Sequence, residues 1–184
     1  MMCRHNSEKG VQEDGSVRDG IEMIERYKVL REIGRGGSSR VYLAEDVRLG
    51  KRWAVKGIAR DGTGHTEAAA ARAWQEARFL GELDHPAFPR VVEMMRGDDE
   101  VRIVMDYIEG ETLEAILARE GALRPERAAA IARELCGMLA YLHSRKPPVI
   151  YRDLKPANLI CTADGHWKII DFGIAMRRAM RGAG

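Results

Sequence analysis

Long apolar runs are missing from this 184-residue sequence: none approaches the roughly 20 consecutive apolar residues needed to cross a bilayer, so no membrane span is expected in this chain. The stretch Met1–Asp19 is polar rather than charged-then-apolar, so no secretion signal is expected either. Cysteine is scarce. Cys3, Cys136 and Cys161 make neither an even disulfide set nor a C-x-x-C pair, and a reducing cytoplasm is the expected compartment. An excess of one charge is lacking too. Thirty Lys and Arg against 28 Asp and Glu leave +2, which gives no bulk drive toward nucleic acid or an anionic membrane, so partners have to be argued from sites. Internal repeats are absent. What remains, 45% hydrophobic and 32% charged residues, is the composition of one ordinary globular domain.

Along the chain, residues 1–26 mix Gly, Asp, Glu, Arg and Ser without a period of 2 or 3.6 and read as a flexible leader. The pattern then turns to short strands, Tyr27 to Ile33, Arg40 to Glu45 and Arg52 to Ile58, separated by glycines. Thr66 to Leu83 is Ala-rich with helical spacing and ends at Asp84-His85-Pro86. Two more strands, Val91 to Met95 and Val101 to Asp106, flank a hairpin turn at Gly97-Asp98-Asp99. Beyond Asp106 the character is helical: Glu111 to Arg119 is short, and Arg124 to His143, with Pro125 in its first turn, is long. Small strands are expected near Val149, Leu159 and Lys168 to Ile170.

Three segments carry chemistry. Ile33-Gly34-Arg35-Gly36-Gly37-Ser38-Ser39-Arg40-Val41 places three glycines between two strands, where absent side chains let backbone N–H groups approach phosphate oxygens. Ser39 stands where the third glycine of G-x-G-x-x-G would be, and on the glycines alone a plain hairpin is the better reading. In Trp53-Ala54-Val55-Lys56, alternation puts Ala54 and Lys56 on one face of a strand, a small residue beside an ammonium, which suits a purine above phosphates. A lysine near the floor of a pocket needs an anion, which Glu76 on the Ala-rich helix could supply; by itself Glu76 reads as a solvated helix charge. The third segment is strongest. Tyr151-Arg152-Asp153-Leu154-Lys155-Pro156-Ala157-Asn158, followed by Asp171-Phe172-Gly173, offers hard oxygens for Mg2+ together with a carboxylate able to accept a proton.

The order and spacing of these elements resemble the protein kinase superfamily, specifically the bacterial eukaryotic-like (Hanks-type) serine/threonine kinases. The resembling elements are the Gly loop, strand lysine, helix glutamate, Met105-Asp106-Tyr107-Ile108 as an interlobe link, Tyr-Arg-Asp-Leu-Lys-Pro-x-Asn and Asp-Phe-Gly. The resemblance implies an α+β fold: a five-stranded antiparallel N-lobe with one helix over residues 27–106, and an incomplete, mainly helical C-lobe over 107–184. It implies ATP and Mg2+ as ligands and a protein Ser/Thr hydroxyl as acceptor. It makes Ile33, Gly34, Gly36, Gly37 and Val41 part of the phosphate-covering loop, Lys56 the α/β-phosphate contact and Glu76 its partner. Asp153 becomes the base, Lys155 the γ-phosphate contact, and Asn158 and Asp171 the metal ligands. Backbone groups of Asp106 and Ile108 would meet the adenine edge, Met105 would lie behind it, and Val41, Ala54 and Ile160 would sandwich it.

Leu80, Val91, Tyr151 and Phe172 are expected to stack between the lobes, with Tyr151 in place of the commoner histidine. The chain ends eleven residues after Gly173, without an Ala-Pro-Glu segment. The expectation is therefore a truncated kinase whose Arg124–His143 helix exposes apolar side chains to a covering partner. Three function classes follow: an active phosphotransferase, an ATP-binding pseudokinase-like module, and a non-functional kinase fragment needing that partner.

Overall fold

The computed structural model describes residues 26–36, 39–59, 64–97, 100–172 and 176–177. Gly37 and Gly173, expected parts of the phosphate loop and of the Asp-Phe-Gly turn, lie outside the described residues, as do residues 1–25 of the expected leader. Arg26 belongs to the folded part: its guanidinium reaches the Asp46 carboxylate at 2.8 and 2.9 Å.

Five strands form the first half: β1 (Tyr27–Arg35), β2 (Ser39–Asp46), β3 (Lys51–Ala59), β4 (Val91–Arg96) and β5 (Glu100–Asp106). They pair antiparallel in the order β1-β2-β3-β5-β4. At the expected hairpin the Gly97 N–H donates to Glu100 O at 2.8 Å, closing the pair. Alternation sorts the β3 side chains by face. Ala54 and Ile58 pack with Val101, Ile103 and Met105 beneath one helix, α1 (Gly64–Leu80), while Trp53 and Val55 pack with Tyr27, Ala44 and Val104 on the other side. The helix presents Ala69, Ala70, Ala73 and Ala77 to the sheet. Small side chains at helical spacing let the two layers approach closely, which brings Glu76 within reach of β3.

α1 stops at Leu80, short of the expected Leu83. Gly81 N–H still bonds Ala77 O at 2.9 Å, but Glu82 and Leu83 bond back only three residues, so the last turn tightens into the connection although the apolar spacing continues through Leu83.

The second half contains α2 (Leu113–Glu120), α3 (Pro125–His143) and short strands β6 (Glu111–Thr112), β7 (Val149–Ile150), β8 (Leu159–Cys161), β9 (Trp167–Ile169) and β10 (Met176–Arg177). The short helix begins two residues later than expected. Glu111 and Thr112 are drawn into pairing with Cys161 and Ile160, and Thr112 Oγ1 then caps α2 by accepting from Ala115 N–H at 3.1 Å. β7 lies where a small strand is expected near Val149, while its partner β10 is not announced by the sequence pattern. Along α3, Ile131, Met138 and Leu142 are buried and Leu135 and Leu139 half-buried, whereas Ala129, Ala132, Cys136, Gly137 and Ala140 are exposed. The expected apolar exposure is thus confined to small residues, because the large ones turn inward onto β7 and β9. None of the described helices is long and apolar enough to cross a membrane.

One core joins the halves. Phe79 and Leu80 of α1, Phe88, and Leu142, Val149, Tyr151, Ile169 and Phe172 belong to a single buried cluster, with Val91 packed against it. The four expected stacking residues therefore do share one interior. The connection after α1 is sewn to the second half by polar contacts as well. Tyr141 Oη accepts from Asp84 N–H and donates to Asp84 O, both at 2.9 Å, and Ile169 N–H donates to Ala87 O at 3.0 Å.

Candidate active site

Lys56 projects from the α1 side of β3, where burial would disfavour a lone ammonium. Its Nζ lies 2.9 Å from Glu76 Oε2, 3.2 Å from Oε1 and 3.4 Å from Asp171 Oδ1. Both partners of the Lys56–Glu76 pair are largely buried, with side-chain exposures of 12% and 6%. Burial acts to lower the Lys56 pKa, but the Glu76 and Asp171 carboxylates outweigh it and hold the ammonium above the ordinary lysine value. Glu76 has a second task. Its Oε1 accepts from the buried Phe172 N–H at 3.1 Å, so one carboxylate on α1 fixes both the β3 lysine and the backbone that presents Asp171.

A second cluster forms around the loop after β7. Arg152 takes φ of 64°, a left-handed conformation that costs a non-glycine residue about 1–2 kcal/mol. That turn brings Asp153 N–H to Tyr151 O at 3.0 Å. Asp153 Oδ2 accepts from Lys155 Nζ and from Asn158 Nδ2, both at 2.9 Å, and the same Nδ2 donates to Asp153 O at 3.0 Å. Asp153 also holds the Lys155 ammonium above the ordinary lysine range. Asn158, buried at the end of a single 3-10 turn (Pro156–Asn158), receives Ile170 N–H on its carbonyl at 3.1 Å, which places the chain entering Asp171 beside it. Through Glu76, Phe172 and Ile170 the two clusters adjoin.

The donor set suits a hard divalent ion only in company. Among the described residues no three His, Cys, Asp or Glu side chains could hold a metal. Asn158 and Asp171 supply two oxygen-bearing groups, which fits Mg2+, an ion commonly held by one or two carboxylates and completed by phosphate oxygens and water.

The apolar residues expected around the nucleotide differ in their surroundings. Ala54, Met105 and Ile160 are buried, while Ile33 and Val41 are half-buried against the cluster under α1. Val41 pairs with Lys56 and with Gly34, and Gly36 N–H donates to Ser39 O at 2.8 Å, so Gly34 and the strand β2 that carries Val41 lie in register with the lysine. Asp106 ends β5, and Ile108 lies two residues on, half-buried in the connection to β6.

Two features escape a reading of the sequence: the unpartnered hydroxyl of the expected stacking residue Tyr151, and the Arg90–Asp106 pair. Tyr151 is fully buried against Phe172, ring centroids 5.1 Å apart, and its hydroxyl has no partner among the described residues. Arg90, immediately before β4, grips the Asp106 carboxylate at 2.8 and 3.2 Å. Sixteen residues separate them, and no local pattern links the two.

Comparison with known proteins agrees with this geometry. A family model described as the protein kinase domain matches residues 27–182. The serine/threonine-protein kinase PrkC of Bacillus subtilis is 37% identical over 156 residues, which is 85% of this chain and 24% of that protein. The serine/threonine-protein kinase pkn2 of Myxococcus xanthus is 36% identical over 161 residues, 85% of this chain and 19% of that protein. PknB of Mycobacterium tuberculosis, also a serine/threonine-protein kinase, is 35% identical over 157 residues, 83% of this chain and 25% of that protein. The chain thus spans about a quarter or less of the length of these curated relatives.

Proposed function

The chain belongs to the protein kinase domain family, and on that premise we propose that it transfers the γ-phosphoryl group of ATP to a serine or threonine hydroxyl of a protein. One observation carries the reading: Lys56, Glu76 and Asp171 meet within 3.4 Å although 115 residues separate Lys56 from Asp171, next to the Asp153–Lys155–Asn158 cluster.

In this reading the α- and β-phosphates are held by Lys56, aimed by Glu76, and covered by the backbone of Ile33–Val41. Asp106 O and Ile108 N–H meet the adenine edge, Met105 stands behind it, and Val41, Ala54 and Ile160 enclose it. Lys155, paired with Asp153 in this structure, moves its ammonium to the γ-phosphate, and the Asp153 carboxylate then accepts the proton of the attacking hydroxyl. Asn158 and Asp171 would hold Mg2+, which would supply positive charge to the phosphate oxygens. Catalysis is then a matter of positioning and electrostatics, with no covalent intermediate on the chain. A cytoplasmic location is part of the proposal, supported by the free thiols of Cys136 and Cys161.

The test is phosphate transfer from Mg·ATP to a generic protein acceptor by the 184-residue chain. Asp153→Asn is expected to lower transfer by at least 10²-fold, the usual effect of removing a general base, while leaving nucleotide-dependent thermal stabilisation in place. Stabilisation by nucleotide without transfer in the unaltered chain would assign the binding-module reading instead. Transfer undiminished in Asp153→Asn would overturn the assignment of the base.

A further inference from the structure

The proposed adenine edge begins at Asp106, and the structure shows what holds that residue still. Arg90 and Asp106 are joined by four hydrogen bonds. Arg90 Nε donates to Oδ2 at 2.8 Å and Nη2 to Oδ1 at 3.2 Å, the two-pronged geometry of guanidinium on carboxylate. Arg90 N–H donates to the same Oδ2 at 3.1 Å, and Asp106 N–H donates back to Arg90 O at 3.0 Å. Main chain and side chain of both residues are engaged, so the peptide at the end of β5 is tied to the segment that enters β4.

The clasp is poorly placed to serve stability alone. Arg90 is 73% exposed, and surface ion pairs of that exposure contribute little to folding. Its position is informative. β5 ends at Asp106, and β6 resumes pairing only at Glu111, so the four residues between have no strand partner. Asp106 is the last residue before them with a fixed neighbour on each side, Trp53 of β3 and Arg90. Arg90 therefore holds the nitrogen and side chain of Asp106, and with them the place of its carbonyl carbon, from which the free segment departs.

We propose that Arg90 is a positioning residue for purine selection, acting through Asp106. This rests on the reading of the site as an ATP site. Adenine presents an exocyclic amino donor where guanine presents a carbonyl oxygen. A backbone carbonyl whose carbon is anchored beside the purine edge accepts from the first and repels the second. A carbonyl whose anchor can shift away, letting an N–H or water take its place, discriminates less. The clasp thus sets selectivity for adenine over guanine more than the strength of phosphate binding, which belongs to Lys56 and the glycine segment.

The experiment measures displacement of a fluorescent ATP analogue by ATP and by GTP, each with Mg2+, from the unaltered chain, Arg90→Met, Asp106→Asn and the double variant. Melting temperatures are recorded for all four. Arg90→Met is expected to weaken ATP by roughly tenfold, about one charge-assisted hydrogen bond converted at 1.4 kcal/mol per decade, while GTP changes little and the preference for ATP falls. Asp106→Asn should do the same, and the double variant should be no worse than either single one. Arg90→Lys, which keeps the charge but not the fork, should recover only part of the preference. An unchanged ATP:GTP ratio in Arg90→Met overturns the proposal. Equal losses for ATP and GTP, in step with a lower melting temperature, would make the clasp purely structural and overturn it too. If the unaltered chain binds neither nucleotide, it is the ATP-site reading that has failed.

Discussion

At the residue scale, the fate of single charges is decided by who sits beside them. Asp46 is fully buried, yet its carboxylate receives the Arg26 guanidinium together with the N–H groups of Arg48 and Leu49 at 2.9 and 3.3 Å. Burial acts to raise its pKa, but these partners outweigh burial and hold it below the ordinary carboxylate value. A depressed folded-state pKa means stabilisation that is complete above the unfolded value near 4 and is lost as pH falls through the lower folded value. Asp46→Asn should therefore melt a few degrees lower at pH 7, and the gap should close as pH falls below the ordinary carboxylate range. A constant gap across that range in thermal melts would show that the carboxylate's charge is not what matters. The sequence hides this contact. Arg26 stands at the edge of a stretch with no periodicity, and Asp46 looks like an ordinary turn residue. Lys56 and Asp153, by contrast, are legible because chemistry restricts which neighbours they can have along the chain.

At the scale of elements, the sequence shows the helices and long strands well and the two-residue strands hardly at all. The reason is physical. A strand such as β3 announces itself by alternation over nine residues, whereas β6 consists of Glu111 and Thr112 and exists only because β8 lies alongside. Gly110 shows how closely they lie. A Cβ placed there would fall 2.2 Å from Cys161 O and 2.6 Å from Ile160 Cγ2, so no side chain fits without parting the two segments. Gly110→Ala should cost about 1–3 kcal/mol, the range for overpacking, and should shift Ile160. Urea unfolding of the variant measures this, and an unchanged midpoint would mean that the connection gives way freely. The sequence overstates the length of α1 for a related reason: apolar spacing runs on through Leu83, but the change to tighter hydrogen bonding after Gly81 leaves no mark in the pattern.

At the scale of the molecule, the interior does not respect the division into a sheet half and a helical half. Phe172 touches Phe79, Phe88 and Tyr151 with ring centroids 6.2, 5.3 and 5.1 Å away, so an aromatic residue from the second half sits among side chains of both. Phe172→Ala should destabilise the whole chain by about 3–5 kcal/mol and leave one transition at lower temperature. Calorimetry showing two separate transitions, only one of them displaced, would contradict a shared interior. This level of organisation was readable only in part. The residues expected to stack do so, but the sewing of Asp84 to Tyr141 and of Ala87 to Ile169 depends on backbone groups that every residue possesses and that sequence cannot single out.

The shared interior has a practical corollary for anyone wishing to dissect this protein. Severing the polypeptide at the apparent natural joint, between Asp106 and Tyr107, would leave the first piece with Phe79, Leu80 and Phe88 wet and the second with Phe172 packed on Tyr151 but without Phe79 and Phe88. The first fragment would keep the two clusters on either face of its sheet, but the cluster that both share would be open in each. Reconstitution from separately produced halves would thus be a folding reaction, driven by burying those same rings, rather than the docking of two finished parts.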